Sequence, residues 1–179
     1  YKVGGFAGQA DIIEDAVNNG DVIATGKDEN GQTFLGGVAG YCAGIIGCEN
    51  NADISVSDSG KLVGGIAGYV VVYDTNAVCN NTNYGKVEAA SADYVGGIAG
   101  YITCVRSNAT YQISNNENKN IVCGNENVGG IAGYVYAFYE KYSYSDYNSY
   151  FEITNCNNEA EITGAENVGG ICGGYHRLN

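Results

Sequence analysis

One heptapeptide returns six times along the 179-residue chain, at Val3–Gln9, Leu35–Tyr41, Val63–Tyr69, Val95–Tyr101, Val128–Tyr134 and Val168–Gly174. The fifth copy reads Val-Gly-Gly-Ile-Ala-Gly-Tyr, and the last ends Cys-Gly-Gly. Successive copies start 28 to 40 residues apart. A period of that length builds one small unit per copy. A lone unit cannot bury its apolar face, whereas stacked units share a continuous core. The chain is therefore restricted to a stacked-repeat architecture.

A second frame follows each heptapeptide. Ile153–Ile162 shows it best, and it aligns with Ile13–Val22, Ile45–Ile54, Val78–Val87 and Ile113–Val122. In every copy an Asn stands five residues after the first aliphatic and four before the second: Asn18, Asn50, Asn83, Asn118 and Asn158. Gly20, Ala52, Gly85 and Ala160 follow two positions later. Asn tolerates left-handed backbone angles and Gly adopts them freely, so each Asn is expected to mark a corner between two strands. Equal spacing also predicts a structural ladder, with side-chain amides bonded from one coil to the next.

Each repeat then holds three short aliphatic segments separated by turn chemistry. They are β-branched, too short for helices and without a 3.6-residue period, so they read as strands. The expected fold is all-β: a parallel β-solenoid, or β-helix, of about five coils with three short strands per coil. The usual rule for parallel crossovers makes it right-handed. Residues 1–179 read as a single repeat domain excerpted from a longer array, with repeat starts near 3, 35, 63, 95, 128 and 168. Val128 and Ile131 are three residues apart, which strict alternation sends to opposite faces. Either both faces are covered, or the Gly-Gly pair turns both side chains inward. A bulge at Gly-Gly is the favoured reading.

The copies disagree between these frames. From heptapeptide to the next aliphatic lie 3, 3, 8, 11 and 18 residues; from the second aliphatic to the next heptapeptide lie 12, 8, 7, 5 and 5. One edge should carry loops that lengthen toward the C-terminus and another loops that shorten. The longest insertion, 135–152, holds Tyr136, Phe138, Tyr139, Tyr142, Tyr144, Tyr147, Tyr150 and Phe151. Its alternation suits a β-hairpin. Dense Tyr among Ser, Asn and Asp is the composition of recognition surfaces, because Tyr gives amphipathic contact area at low entropic cost. The seven loop aromatics other than Phe151 are the candidate binding residues. Packing of these rings on the solenoid flank is the competing reading.

The charge balance narrows the partners. A formal net charge of −12 with only eight Lys plus Arg argues against nucleic acid and anionic membranes, both of which need a basic surface. No apolar run approaches the roughly 18 residues of a membrane span, so no membrane insertion is expected. The seven Cys include no Cys-x-x-Cys pair, and most read as small buried hydrophobes. The one histidine, His176, lies four residues after Cys172, with no evident third partner for nucleophilic catalysis. The acids scatter as Glu14 and Asp15, Asp28 and Glu29, Asp53 and Asp58, and Glu159 and Glu161, without a cluster of the kind a polysaccharide-cleaving site uses. Asp28-Glu29-Asn30, and Asp146 with Asn148, follow no calcium-loop pattern and read as solvated turns. No metal site, cofactor or catalytic residue is assigned.

Asn155-Cys156-Asn157-Asn158-Glu159-Ala160-Glu161-Ile162, together with the Val-Gly-Gly-Ile-Ala-Gly-Tyr copies, resembles the GLUG motif repeat. Gly47–Ile54 is a further copy; Asn80–Val87 has Asn81 at the Cys position, and Asn115–Val122 lacks the Gly. The resemblance covers essentially the whole chain. It implies a module of large, secreted or cell-wall-attached bacterial proteins. These are adhesin-like proteins and proteins similar to immunoglobulin-A-specific metallopeptidases, in which the repeats are non-catalytic. The expected role is thus an extracellular structural or adhesin module displaying variable loops to a carbohydrate or a host or matrix protein. A polysaccharide-active β-helix enzyme is the first alternative. A subunit that self-associates end to end into fibres is the second.

Overall fold

The computed structural model describes residues 1–26, 31–57, 61–105, 108–137, 139–141 and 146–177. Their regular structure is entirely β-strand. The second coil shows the plan, with strands Phe34–Gly36, Ala39–Cys42, Gly44–Ile46, Glu49–Asn50 and Ile54–Val56. Each strand pairs in parallel with its counterpart one coil on. The result is five parallel sheets, here A to E in chain order, of six, six, five, five and five strands. The parallel β-solenoid of about five coils is therefore what this sequence forms. Each coil has five strands where three were expected. The heptapeptide breaks into two strands at Gly-Gly, and the Asn segment is a two-residue strand of its own.

Gly-Gly is a corner, not a bulge. Sheet A runs into it and sheet B runs out, and the two sheets lie backbone against backbone. A Cβ on Gly36 would stand 2.6 Å from the Ile66 carbonyl oxygen and 2.7 Å from Ala67 Cα; one on Gly68 would stand 2.5 Å from Leu35 N. Only residues without side chains allow that approach. The Val and Ile of each copy then point away from each other, into two separate cores. Leu35, Val63, Val95 and Val128 pack with Val22, Ile54, Val87 and Val122 between sheets A and E. Val38, Ile66, Ile98 and Ile131 pack with Ile13, Ile45, Val78 and Ile113 between sheets B and C. Both faces of the heptapeptide are covered, so its three-residue parity is satisfied without a bulge.

The tip of this A–B wedge rests on the Asn column of sheet D. Asn18 donates Nδ2 to Asn50 Oδ1 (2.8 Å), Asn50 to Asn83 (2.8 Å), Asn83 to Asn118 (2.9 Å) and Asn118 to Asn158 (2.8 Å). The second amide hydrogen goes to the carbonyl two residues on, as from Asn83 to Gly85 at 2.7 Å. Asn50, Asn83 and Asn118 are fully buried, which a primary amide tolerates only when its donors are bonded. The second glycine of each pair makes room for them: a Cβ on Gly65 would lie 2.4 Å from Asn83 Cγ.

These asparagines are not the left-handed corners. That conformation falls three residues earlier, at Asp15, Gly47, Asn80, Asn115 and Asn155, with φ between 52° and 64°. The next position, Cys48, Asn81, Asn116 or Cys156, explains why thiol and amide interchange there. Each donates to the same carbonyl of the preceding coil: Cys48 to Ile13 (3.7 Å), Asn81 to Ile45 (2.9 Å), Asn116 to Val78 (3.1 Å) and Cys156 to Ile113 (3.5 Å).

The lengthening edge is only partly loop. Its extra residues extend sheet B from Ala39–Cys42 to Ala67–Val72, Ala99–Cys104 and Ala132–Ala137. They also extend sheet C to Thr110–Ser114 and Tyr150–Thr154. The B–C core widens accordingly and takes in Val72, Cys104, Tyr111 and Phe151. Phe151 is therefore a core residue. All seven cysteines are free thiols, and Cys42, Cys48, Cys79 and Cys104 are buried.

Three outcomes test this account. Gly97→Ala should lower stability by about 1–3 kcal/mol in chemical denaturation, because its Cβ would meet Gly130 O at 2.1 Å and Asn118 Cγ at 2.4 Å. Gly170→Ala, with open space around it, should stay within about 0.5 kcal/mol. Asn83→Ala removes the partners of Asn50, Asn118 and Gly85 and should cost about 3 kcal/mol, whereas Asn51→Ala at the exposed Asn51–Asn19 pair should be nearly silent. Burial pushes the Cys42 thiol up to about 12. The folded chain thus holds that proton after the unfolded thiol has lost its own, near pH 8.5. The contribution is full below about pH 8.5 and fades as pH rises toward 12, so Cys42→Ala should flatten the alkaline decline in melting temperature.

Candidate binding surface

The Tyr-rich insertion is held by strands of sheets B and C that stay in register with their neighbours. Tyr136 lies in the sheet B strand Ala132–Ala137, paired with His176 of the last coil. The two rings stack with centroids 5.6 Å apart and planes 7° from parallel. Tyr150 opens the sheet C strand Tyr150–Thr154. The Arg177 guanidinium sits 4.0 Å from its ring centroid, and Asn148 donates to its hydroxyl at 2.8 Å. His176 and Arg177 are adjacent, so they tie Tyr136 and Tyr150 into one edge. Tyr139 and Tyr147 fall in the two strands of an antiparallel hairpin, Tyr139–Lys141 with Asp146–Asn148, so the expected hairpin is present. Phe138, Tyr142 and Tyr144 lie outside the described residues.

Four of the acid–base candidates, His176, Cys172, Asp53 and Glu159, make contacts within or between coils. His176 is stacked on Tyr136, and Cys172 donates its thiol to the Gly174 carbonyl at 3.0 Å. Burial pushes the Cys172 thiol up to about 11, away from the thiolate a nucleophile needs. Asp53 accepts from Lys86 N at 2.8 Å, and Asp21 from Asp53 N at 3.0 Å, so these carboxylates cap strand edges from coil to coil. Glu159 and Glu117 flank the Lys119 ammonium, each at 2.7 Å. Among the described residues, no three His, Cys, Asp or Glu side chains gather as metal ligands. Asp28, Glu29, Asn30 and Asp58 lie outside the described residues. Among the described residues, no helix is long and apolar enough to cross a membrane.

Sequence reasoning passed over a second aromatic feature. The Tyr that ends each heptapeptide stands at the open mouth of the A–B wedge. Tyr41, Tyr69, Tyr101 and Tyr134 form a column, with neighbouring centroids 5.4–5.5 Å apart. Phe34 and Tyr94 of sheet A join it at 5.4 Å from Tyr69 and 5.3 Å from Tyr101. The signal was present in the residue just before each Val or Leu, where Phe34 and Tyr94 share a register. Burial raises the phenol pKa of Tyr69 and Tyr101, so both stay protonated hydrogen-bond donors through neutral pH. Comparison with protein-family models, with curated proteins and with solved structures found no match for this chain.

Proposed function

We propose that this chain is a non-catalytic, extracellular structural and adhesive repeat module, of the kind the GLUG-motif resemblance implies for secreted or cell-wall-attached bacterial proteins. One observation supports it above the rest. Coil-to-coil register is kept in all five sheets, while the stretch from each heptapeptide to the next aliphatic grows from 3 to 18 residues, part of it as longer strands of sheets B and C. A scaffold that holds its frame while one edge diverges is suited to presenting that edge. The edge carries Tyr136, Tyr150 and the hairpin, and rigid amphipathic rings favour a carbohydrate or a host or matrix protein as partner.

The test exchanges residues 138–147 for a short Gly-Ser link, keeping both flanking strands. Wild-type and exchanged chains are applied to a glycan array and to a panel of immobilised matrix proteins. Binding that falls at least about tenfold on exchange, with an unchanged far-UV spectrum, supports the reading. Equal binding by both chains, or none by either, sinks it.

A further inference from the structure

At the mouth of the wedge, sheet A presents Phe34, Leu62 and Tyr94 at one register position in three successive coils. Leu62 is the short member of that row. Where an aromatic ring would continue the column, the structure has a cleft of about 380 Å³, lined by Phe34, Lys61, Leu62, Tyr69, Tyr94 and Tyr101 among others. That volume falls within the roughly 300–1,000 Å³ of small-molecule sites. It is room for a sugar ring or two, not for a polypeptide segment with its own structure.

The chemistry of the lining is specific. Aromatic rings flank the cleft, and the hydroxyls of Tyr69, Tyr94 and Tyr101 have no hydrogen-bond partner among the described residues. Such rings offer apolar surface to the C–H face of a pyranose, and their phenols offer donors and acceptors to its hydroxyls. Lys61 is the one charged residue in the lining, and it forms no ion pair with the described residues. In a chain of net charge −12, a lysine that lines an aromatic cleft and has no ion pair among the described residues complements an anionic group on the ligand. A carboxylate on a sugar ring supplies both the charge and the C–H face.

We infer that this cleft binds an acidic saccharide, a hexuronate unit whose carboxylate meets Lys61 and whose ring lies among Phe34, Tyr69, Tyr94 and Tyr101. The site is distinct from the Tyr-rich insertion and does not depend on it. Leu62 sets the opening: an aromatic residue there would restore the row that Phe34 and Tyr94 begin and would fill the cleft.

The experiment uses the full chain and a galacturonic acid disaccharide, with the carboxyl-reduced neutral disaccharide as control. Saturation-transfer NMR reads contact with Tyr ring protons, and calorimetry reads affinity. The acidic disaccharide should bind about tenfold tighter than the neutral one, and Lys61→Gln should erase that preference. Leu62→Phe should abolish binding of both while the melting temperature holds. Exchange of residues 138–147 should leave this binding intact, which separates it from the adhesive-edge reading. The inference fails if no saturation transfer reaches the sugar, if Lys61→Gln leaves the preference unchanged, or if a folded Leu62→Phe chain binds normally. It also fails if an acidic peptide of equal charge displaces the disaccharide with higher affinity. Should Leu62→Phe fold poorly, the Lys61→Gln comparison decides by itself.

Discussion

Contact between two backbones at Gly-Gly is the constraint from which the rest of this solenoid follows. Sheets A and B touch where neither has a side chain: Gly36 and Gly64 of sheet A and Gly40 and Gly68 of sheet B leave no room for a Cβ beside the backbone of the facing sheet. That contact divides the interior. The Val column faces sheet E and the Ile column faces sheet C, and beside the wedge each core is narrow enough for aliphatic residues. A single-cored coil of this size would require longer side chains to meet at its centre. Here Ala, Val, Leu, Ile and Cys fill most of both cores, and large rings enter only where the B–C core widens, at Tyr111 and Phe151.

The wedge has a polar problem at its tip, and the Asn column resolves it. Two adjacent glycines turn a corner deep inside the coil, where the facing side chain must be narrow and must satisfy its own polar atoms. Asn meets both demands only as part of a stack. Each amide gives one hydrogen to the next Asn and one to the local chain, so the column is satisfied along its length and not residue by residue. The cost of removing one member therefore falls on its neighbours. Stability in such a stack is carried by contacts between neighbouring coils, and coils agree in sequence where those contacts are made.

The repeat and its strand character were legible because stacking forces identical residues to recur at identical intervals. The Asn column was legible for the same reason. What spacing did not separate was two arrangements that bury the same residues. A bulge and a corner at Gly-Gly both send Val128 and Ile131 inward; they differ in whether one core receives them or two. The left-handed residues were assigned to the ladder Asn because Asn80, Asn115 and Asn155 share its chemistry and stand three positions away. The extra residues after each Tyr read as loop, although Val70–Val72 and Ile102–Cys104 continue the ladder of sheet B. Length differences between copies say that something was inserted, not whether it pairs.

The wedge also determines where chemistry can vary. A residue pointing into either core must match its counterparts above and below, and so must the amides at the tip. The position before each Val or Leu is free of both demands, because it faces the gap between sheets A and B at the solvent edge. It reads Lys2, Phe34, Leu62, Tyr94 and Asn127 through the first five coils. Sheet B answers this variable row with a nearly constant Tyr, so the constant side supplies a platform and the variable side shapes what stands on it. A ring at Phe34 or Tyr94 packs into the Tyr column and closes the gap; Leu62 leaves it open between them. The same glycine contact that fixes the fold thus forms a groove along the solenoid whose depth is set one residue per coil.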